Sequence, residues 1–300
     1  MKLFIEKPKR FFAFGCSFTS YMWPTWADFV ALELGPEVQY YNFARSGAGN
    51  QYISNMIAQA DAKFNFDKND LVMVCWTNVC REDRMFVNDQ NTPEWAVPGN
   101  LTTQHVYDKE WLDRFASCRD WFFIRDFASI HLTTGLLNKT NSHQLSMVDI
   151  HKTWDQYMSA DNPDAEDNLG SLAFPASTQK ILPSIYKILW DDKLGTKLKK
   201  DMKRIHPAYM DYHPTPDEHY LLLKKLFKKQ KWSKTTDYTA NIVSMEFISM
   251  MKSLYKKNKV KKMTTPYKIL EKEGWDADIV NKLRDMETTY FVRTGARLYR

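Results

Sequence analysis

Short apolar runs alternate with amphipathic stretches along the first part of the chain. Arg10–Phe14 (RFFAF), Val38–Asn42 and Leu71–Trp76 (LVMVCW) have the length and apolar character of buried strands. Between them, Pro24–Leu34 and Gln51–Ala62 carry their apolar residues at helical spacing. Strands that alternate with helices indicate βαβ units, so the pattern predicts an α/β fold around a central parallel sheet.

The pattern is less regular in the middle of the chain. We predict a mostly helical segment over Trp111–Leu137, a fourth strand over Leu145–Ile150, and helices over Gln179–Trp190 and Pro216–Lys229. Asp155–Ser171 is polar, acidic and rich in turn formers, which favours a surface loop or partial lid.

After Lys234 the alternation of strands and helices stops. Asn241–Tyr255 and Thr265–Arg300 are predicted to be amphipathic helices. We therefore predict a domain over residues 1–232, followed by a helical, lysine-rich C-terminal extension over residues 233–300.

Composition narrows the class of protein. The 300 residues are 44% hydrophobic and 26% charged, which is typical of a globular protein and not of a disordered or membrane-embedded one. The sequence contains no apolar run long enough for a membrane span. The first ten residues are interrupted by Glu6, Lys7 and Lys9, so we expect no signal peptide, and residence in a cytoplasm or, for a phage-encoded chain, on a virion.

The net charge of +6 is concentrated in one part of the chain. Leu221–Met263 contains twelve lysines, two acids and no arginine. A solvated helix face explains such a run, and contact with an anionic partner is the alternative. The absence of arginine argues against nucleic acid, whereas a protein assembly partner could bind through the extension.

The sequence gives no reason to expect a cofactor or a metal. Cys16, Cys75, Cys80 and Cys118 lack metal-finger spacing and are predicted to be free, buried thiols. The glycines of Gly47-Ala48-Gly49 lack the length and the lysine of a phosphate-binding loop.

The candidate catalytic residues come directly after the predicted strands. Ligands bind at the carboxyl ends of the strands in such sheets, so these positions are where a site is expected. Ser17 lies in Gly15-Cys16-Ser17-Phe18-Thr19 after the first strand, Gly47 follows the second, and Asn78 follows the third. Taken singly, these are equally compatible with a helix-capping serine, a turn glycine and a capping asparagine. Together they offer a nucleophile and two oxyanion donors.

A histidine next to an acid would supply the base. Asp211-Tyr212-His213-Pro214 places an aspartate two residues before His213, and such an acid can fix the tautomer of an imidazole. His219 competes as the base, although we expect it to pack or cap at the start of the last helix of the domain. His206 also competes, but it has no acid two or three residues before it.

These four blocks, in this order, resemble the SGNH/GDSL hydrolase superfamily. Ser17 matches the nucleophile of its first block. Gly47 and Asn78 match the oxyanion donors of the second and third, and Asp211 and His213 match the acid and base of the last. The resemblance covers Phe11 to about Phe227, and it implies a three-layer α/β/α, flavodoxin-like fold.

The chain departs from the family's motifs at three places. Cys16 replaces the usual Asp before the serine, Trp76-Thr77-Asn78-Val79 replaces Gly-x-Asn-Asp, and a single residue separates Asp211 from His213. Gly-Cys-Ser-Phe-Thr with a downstream Trp-x-Asn is similar to sequences from phage genomes.

The resemblance implies a serine esterase that works through an acyl-enzyme, with oxyanion donors Ser17 N–H, Gly47 N–H and the Asn78 amide. The 10 tryptophans, among them Trp23 and Trp26 close behind Ser17, favour an O-acetyl group on a carbohydrate as the substrate. Two alternatives stay open. One is an acyltransferase on the same scaffold, and the other is a weakly active or inactive virion or binding protein that keeps the fold. A hydrogen-bonded chain of Ser17, His213 and Asp211 in an open cleft would favour an enzyme, and a buried Ser17 would favour a binding protein.

Overall fold

A computed structural model describes residues 1–21, 23–79, 81–97, 99, 109–111, 114, 119–150, 180–191 and 213–256. The strands in these ranges are β1 (Arg10–Phe14), β2 (Gln39–Asn42), β3 (Asp70–Trp76), β4 (Arg84–Val87), β5 (Pro93–Ala96) and β6 (Asn141–Ser146). The helices in them are α1 (Trp26–Leu34), α2 (Asn50–Phe64), α3 (Lys109–Trp111), α4 (Arg119–Leu137), α5 (Ile185–Trp190), α6 (Pro216–Leu226) and α7 (Lys234–Lys256).

Four of the strands form one parallel sheet in the order β2-β1-β3-β6. Every residue of β3 is buried, as expected for an inner strand of a parallel sheet with both faces covered. Aromatic side chains reinforce the pairing of β1 with β2, where Phe11 stacks on Tyr40 and Phe12 on Tyr41, with ring centroids 5.1 and 4.9 Å apart. The predicted α/β fold with a parallel sheet is confirmed at this level.

The helices pack in two groups. Helix α2 lies against α4, whereas α1 lies against α6 and α7, and α6 also contacts α5. Helix α1 begins at the N-cap Thr25, whose backbone N–H donates to Asp28 at 2.7 Å in a capping box. Burial raises the pKa of Asp28 to about 6, although the hydrogen bonds from Thr25 act to lower this pKa.

The fourth strand and the following helix differ from the sequence prediction. Strand β6 begins at Asn141, four residues before the predicted start, because its first half is polar and does not stand out as an apolar run. The predicted helix over Gln179–Trp190 is wrong in its first half: Ile181 bridges to Gln144 in the sheet, and the helix begins only after the N-cap Ser184. Pro183, just before that cap, disfavours helix in the residue preceding it.

The hairpin of β4 and β5 was not predicted. All four residues of β4 are exposed. Its sequence, RMFV, does not alternate between polar and apolar residues, which is the pattern that indicates a strand with one buried face. Its turn is built by Asn88, whose side-chain oxygen accepts hydrogen bonds from the backbone N–H groups of Gln90 and Thr92 at 3.0 and 3.1 Å.

Helix α7 contains the predicted helix Asn241–Tyr255 and packs against α1 and α6. Its inward face buries Ala240, Val243 and Phe247. Asp237 accepts hydrogen bonds from Tyr220 Oη at 2.7 Å and from Lys224 Nζ at 2.9 Å.

Two other predicted segments, the loop Asp155–Ser171 and the helix Thr265–Arg300, lie outside the described residues. Among the residues that the structure does describe, no helix combines the length and the apolar character needed to span a membrane.

Candidate active site

The turn after β1 presents Ser17 at the carboxyl edge of the sheet. Gly15 makes the turn sterically feasible, since a Cβ there would lie 2.2 Å from Thr19 Oγ1 and 3.2 Å from Cys75 Cβ. The N–H groups of Thr19 and Ser20 both donate to the Cys16 carbonyl, at 2.9 and 3.1 Å, which tightens the turn. Ser17 is 6% exposed.

Ser17 and His213 are in direct contact although 196 residues separate them in the sequence. The Ser17 Oγ and His213 Nε2 atoms are 2.7 Å apart, a normal hydrogen-bond distance for a hydroxyl and an imidazole. With the imidazole proton on Nδ1, Nε2 accepts the hydroxyl proton. This is the geometry in which an imidazole can activate a serine as a nucleophile.

The segment that follows His213 is fixed by hydrogen bonds. The Trp23 indole Nε1–H donates to the carbonyl oxygen of Pro214 at 2.8 Å, in a buried hydrogen bond. Thr215 caps helix α6, and its N–H donates to the Glu218 carboxylate at 2.9 Å. Glu218 also accepts a hydrogen bond from Trp190 Nε1 at 2.9 Å.

Aromatic rings contact the imidazole. Tyr21 stacks on His213 with ring centroids 3.9 Å apart and planes 16° from parallel. Phe18, the residue after Ser17, lies 5.0 Å from the same ring at an angle of 43°. The segment that carries the serine therefore also contributes ring contacts to His213.

Gly47 lies in a tight turn after β2. The Ala48 N–H donates to the Arg45 carbonyl at 3.0 Å, and Gly47, the third residue of this turn, has φ +86°. A type II turn requires a positive φ at that position, which favours glycine. A Cβ on Gly47 would also lie 2.3 Å from the carbonyl oxygen of Val97. The Arg45 N–H donates to the Gly15 carbonyl at 3.2 Å, which joins this loop to the serine turn.

Asn78 follows β3, the strand that pairs with β1 on the side away from β2. The Thr77 hydroxyl donates a long hydrogen bond of 3.3 Å to Asn78 Oδ1. Asn50, at the start of α2, holds the Thr77 backbone: its Oδ1 accepts from the Thr77 N–H at 2.9 Å, and its Nδ2 donates to the Thr77 carbonyl oxygen at 3.2 Å. Ser17, Gly47 and Asn78 therefore follow three adjacent strands at one edge of the sheet.

A buried polar network, not predicted from sequence, supports the loops of Gly47 and Asn78. Asp83 accepts from the N–H groups of Gly49 and Tyr52 at 2.8 and 2.9 Å, so it caps helix α2 from the loop after β3. Arg81 donates to the carbonyl oxygen of Ala48 at 2.6 Å. The run Arg81-Glu82-Asp83-Arg84 was the signal in the sequence, but a charged run normally indicates a solvated surface.

Helix α4 completes this network. Asp126 accepts from Asn50 Nδ2 at 2.9 Å and from Arg125 Nε at 2.8 Å, and Arg125 also pairs with Glu82. Burial raises the pKa of Asp126 to about 7, although the Arg125 guanidinium favours the ionised carboxylate. Burial likewise raises the pKa of Asp83.

Not every predicted site residue is described. Asp211 and the competitor His206 lie outside the described residues. The other competitor, His219, is fully buried in the first turns of α6, as expected for a packing residue. Trp23 and Trp26 are buried, so neither of these two rings offers a surface on which a sugar can stack.

The described cysteines can be compared with the prediction of free thiols, and the described side chains can be considered as metal ligands. Cys16 and Cys75 are free and buried, as predicted, and burial raises the pKa of the Cys75 thiol, whereas Cys80 and Cys118 lie outside the described residues. In the described part of the chain, no three His, Cys, Asp or Glu side chains are grouped so that they could hold a metal ion.

No protein-family model matches the chain, and no match to a curated protein is found.

Proposed function

We propose that the protein is a serine ester hydrolase of the SGNH type that works through an acyl-enzyme. The observation that carries this proposal is the 2.7 Å contact between Ser17 Oγ and His213 Nε2 at the carboxyl edge of a parallel sheet. A serine hydroxyl is a weak nucleophile alone, and a neighbouring base is the feature it needs.

In the proposed reaction, Ser17 Oγ attacks the ester carbonyl while His213 Nε2 takes its proton. The oxyanion is held by the N–H groups of Ser17 and Gly47 and by the Asn78 amide. Collapse of the tetrahedral intermediate breaks the bond to the alcohol, which leaves with the proton from His213. Water, deprotonated by His213, then attacks the acyl-Ser17 ester and releases the acid. From the family resemblance, Asp211 would orient the imidazole.

We also propose that the fold is the three-layer, flavodoxin-like α/β/α arrangement of that superfamily. The strand order β2-β1-β3-β6 supports it, because flavodoxin-like sheets begin with the same reversal on either side of the first strand. The separate packing of α2 with α4 and of α1 with α6 and α7 is compatible with one helical layer on each face.

The acceptor of the acyl group distinguishes a hydrolase from an acyltransferase on this scaffold. Both would form the same acyl-Ser17, and they differ only in whether water or a second hydroxyl attacks it. A product assay with an activated acetate ester, with and without an added sugar, separates them. If free acetate is the only product that carries the acetyl group, the result supports the hydrolase. Acetylated sugar supports the transferase.

A second candidate is a binding protein that keeps the fold without turnover, and the low exposure of Ser17 favours it. At 6% exposure the serine is buried enough to be a structural residue. The histidine contact argues the other way, because a structural serine in a turn needs only backbone partners.

Labelling with a fluorophosphonate probe tests the proposal, since this reagent reacts with serines activated by a base. We expect wild type to be labelled on Ser17, with labelling lost in Ser17→Ala and strongly reduced in His213→Ala. A folded wild-type protein that is not labelled would support the binding protein. His219→Gln is the matched control, because it removes an imidazole of the same loop-helix segment that does not serve as the proposed base.

A further inference from the structure

We infer that helix α7 helps to position the catalytic base, through a chain of aromatic rings that runs from Phe247 to His213. This inference rests on the proposed function, because it assigns Tyr21, Trp23 and Phe247 as positioning residues for the imidazole that activates Ser17. Helix α7 lies beyond the part of the chain that resembles the SGNH hydrolases, which ends near Phe227.

The chain of rings is continuous. Phe247 contacts Trp23 with ring centroids 5.0 Å apart at 60°, and Trp23 contacts Tyr21 at 4.5 Å and 82°. Tyr21 in turn stacks on His213 at 3.9 Å. The edge-to-face and stacked geometries are those that aromatic pairs prefer, so each ring restrains the next.

Trp23 restrains the base in two ways at once. Its ring packs between Tyr21 and Phe247, and its Nε1–H donates to the carbonyl oxygen of Pro214, the residue after His213. Trp23 therefore fixes both the ring that stacks on the imidazole and the backbone that carries it. A shift of Trp23 would move the two together.

Stacking on Tyr21 restricts the imidazole in a way that suits its proposed task. Rotation of the His213 ring would break the near-parallel contact with Tyr21 as well as the contact of Nε2 with Ser17 Oγ. The face of an aromatic ring also attracts a cation, so Tyr21 would stabilise the imidazolium formed when His213 takes the serine proton.

Among the described side chains of helix α7, Phe247 contributes to this chain. Phe247 is buried against Trp23, whereas Val243, one turn earlier, is equally buried at 4% exposure on the same helix. The two residues provide a matched pair of variants, since both lose buried volume on α7 but only Phe247 belongs to the chain of rings.

The experiment combines an NMR signal with a rate. The imidazole resonances of His213, identified by their absence in His213→Gln, should be shifted upfield in wild type by the ring current of Tyr21. We expect the upfield shift to be lost in Tyr21→Leu, reduced in Phe247→Leu, and retained in Tyr21→Phe and Val243→Ala.

The rate of fluorophosphonate labelling should follow the same order. Displacing a catalytic group by about 1 Å can lower the reaction rate by about 10²-fold. We therefore expect the labelling rate to fall by about 10²-fold in Tyr21→Leu and by about tenfold in Phe247→Leu. Tyr21→Phe and Val243→Ala should stay within a factor of about three of wild type.

The inference would be overturned if the His213 resonances of Phe247→Leu matched those of wild type, or if Val243→Ala changed them as much. The two proposals can fail separately. If the wild-type protein is not labelled but has the shifted resonances, the proposed function is contradicted. The positioning of the imidazole by α7 is then still supported.

Discussion

The two sides of the candidate active site are held by different physical interactions. The side that we call the base side, after the role proposed for His213, consists of that residue and the aromatic side chains of Tyr21, Trp23 and Phe247, together with an indole hydrogen bond. The other, called the oxyanion side after the role proposed for the loops of Gly47 and Asn78, rests on buried charged and amide groups.

The difference predicts different sensitivities. Packing among the Tyr21, Trp23 and Phe247 rings is short-ranged and involves no charged group, so this part of the base side should depend on the shape of its side chains. Buried charges are stable only while each keeps its partner, so the oxyanion side should depend strongly on single charge removals and on pH.

The largest effect is expected from removal of Arg125. Its side chain is 9% exposed and pairs with Glu82 and Asp126, so Arg125→Met would leave both carboxylates without it in a buried site. We expect a loss of about 3–5 kcal/mol in the free energy of unfolding, measured by urea denaturation. Arg84 also pairs with Glu82 but is 51% exposed, and Arg84→Met should cost about 1 kcal/mol or less. Equal losses in the two variants would contradict a buried charge network.

Gly47→Ala comes next, because it disturbs the oxyanion side without removing a charge. The positive φ and the nearby Val97 carbonyl leave no room for a methyl group, so the turn must shift. We expect the labelling rate to fall by about 10²–10³, the loss typical of one oxyanion donor. Gly135→Ala on α4 is the control: nothing lies within 4 Å of the added methyl, and alanine should stabilise the helix by about 0.5–1 kcal/mol. A Gly47→Ala protein that labels at the wild-type rate would remove Gly47 from the oxyanion hole.

A smaller, pH-dependent effect is expected at Asp126. Burial raises its pKa from an ordinary 3.8 to about 7, so between these values the folded state holds a proton that the unfolded state has released. The stability contributed by Asp126 is therefore present at low pH and falls as the pH rises through this interval, by at most about 1.4 kcal/mol per pH unit.

Comparison with Asp126→Asn isolates this contribution. The free energy of unfolding of wild type, relative to that of the variant, should be larger at pH 5 than at pH 8. A difference that is constant, or that grows with pH, would show that the Arg125 pair keeps Asp126 ionised throughout.

The smallest effect is expected from the cap beside His213. Thr215→Ala removes a hydroxyl whose single proton lies between two carboxylate acceptors, Asp217 at 2.6 Å and Glu218 at 3.1 Å. Thermal melting should show a loss of about 1 kcal/mol. Labelling should change by less than about threefold, because Trp23 still holds Pro214. A large loss of labelling would mean that the helix cap, and not the aromatic rings, orients the base.

The sequence was informative wherever a local pattern determines structure. The apolar runs of β1, β2 and β3 and the glycine-containing turn before Ser17 are local features, and the structure has them close to where they were predicted. Ser17 and His213 were paired in advance through the order of four short blocks, and their contact agrees with that pairing.

The supports of the site could not be predicted because they are pairings between distant segments. Asn50 meets Asp126 across 76 residues, and Trp23 meets Pro214 across 191. Nothing in the local composition distinguishes the buried carboxylate of Asp126 from an exposed one on an amphipathic helix. The same holds for Phe247, whose neighbours in the sequence indicate only an amphipathic helix.

The most direct test of the central claim, that His213 activates Ser17, is to trap the acyl-enzyme. Wild-type protein is incubated briefly with p-nitrophenyl acetate, quenched in acid, and digested for mass spectrometry. We predict one acetyl group on the peptide that contains Ser17, absent in Ser17→Ala and formed much more slowly in His213→Ala. Acetylation confined to cysteine or lysine side chains, or equal on Ser17 with and without His213, would contradict the account.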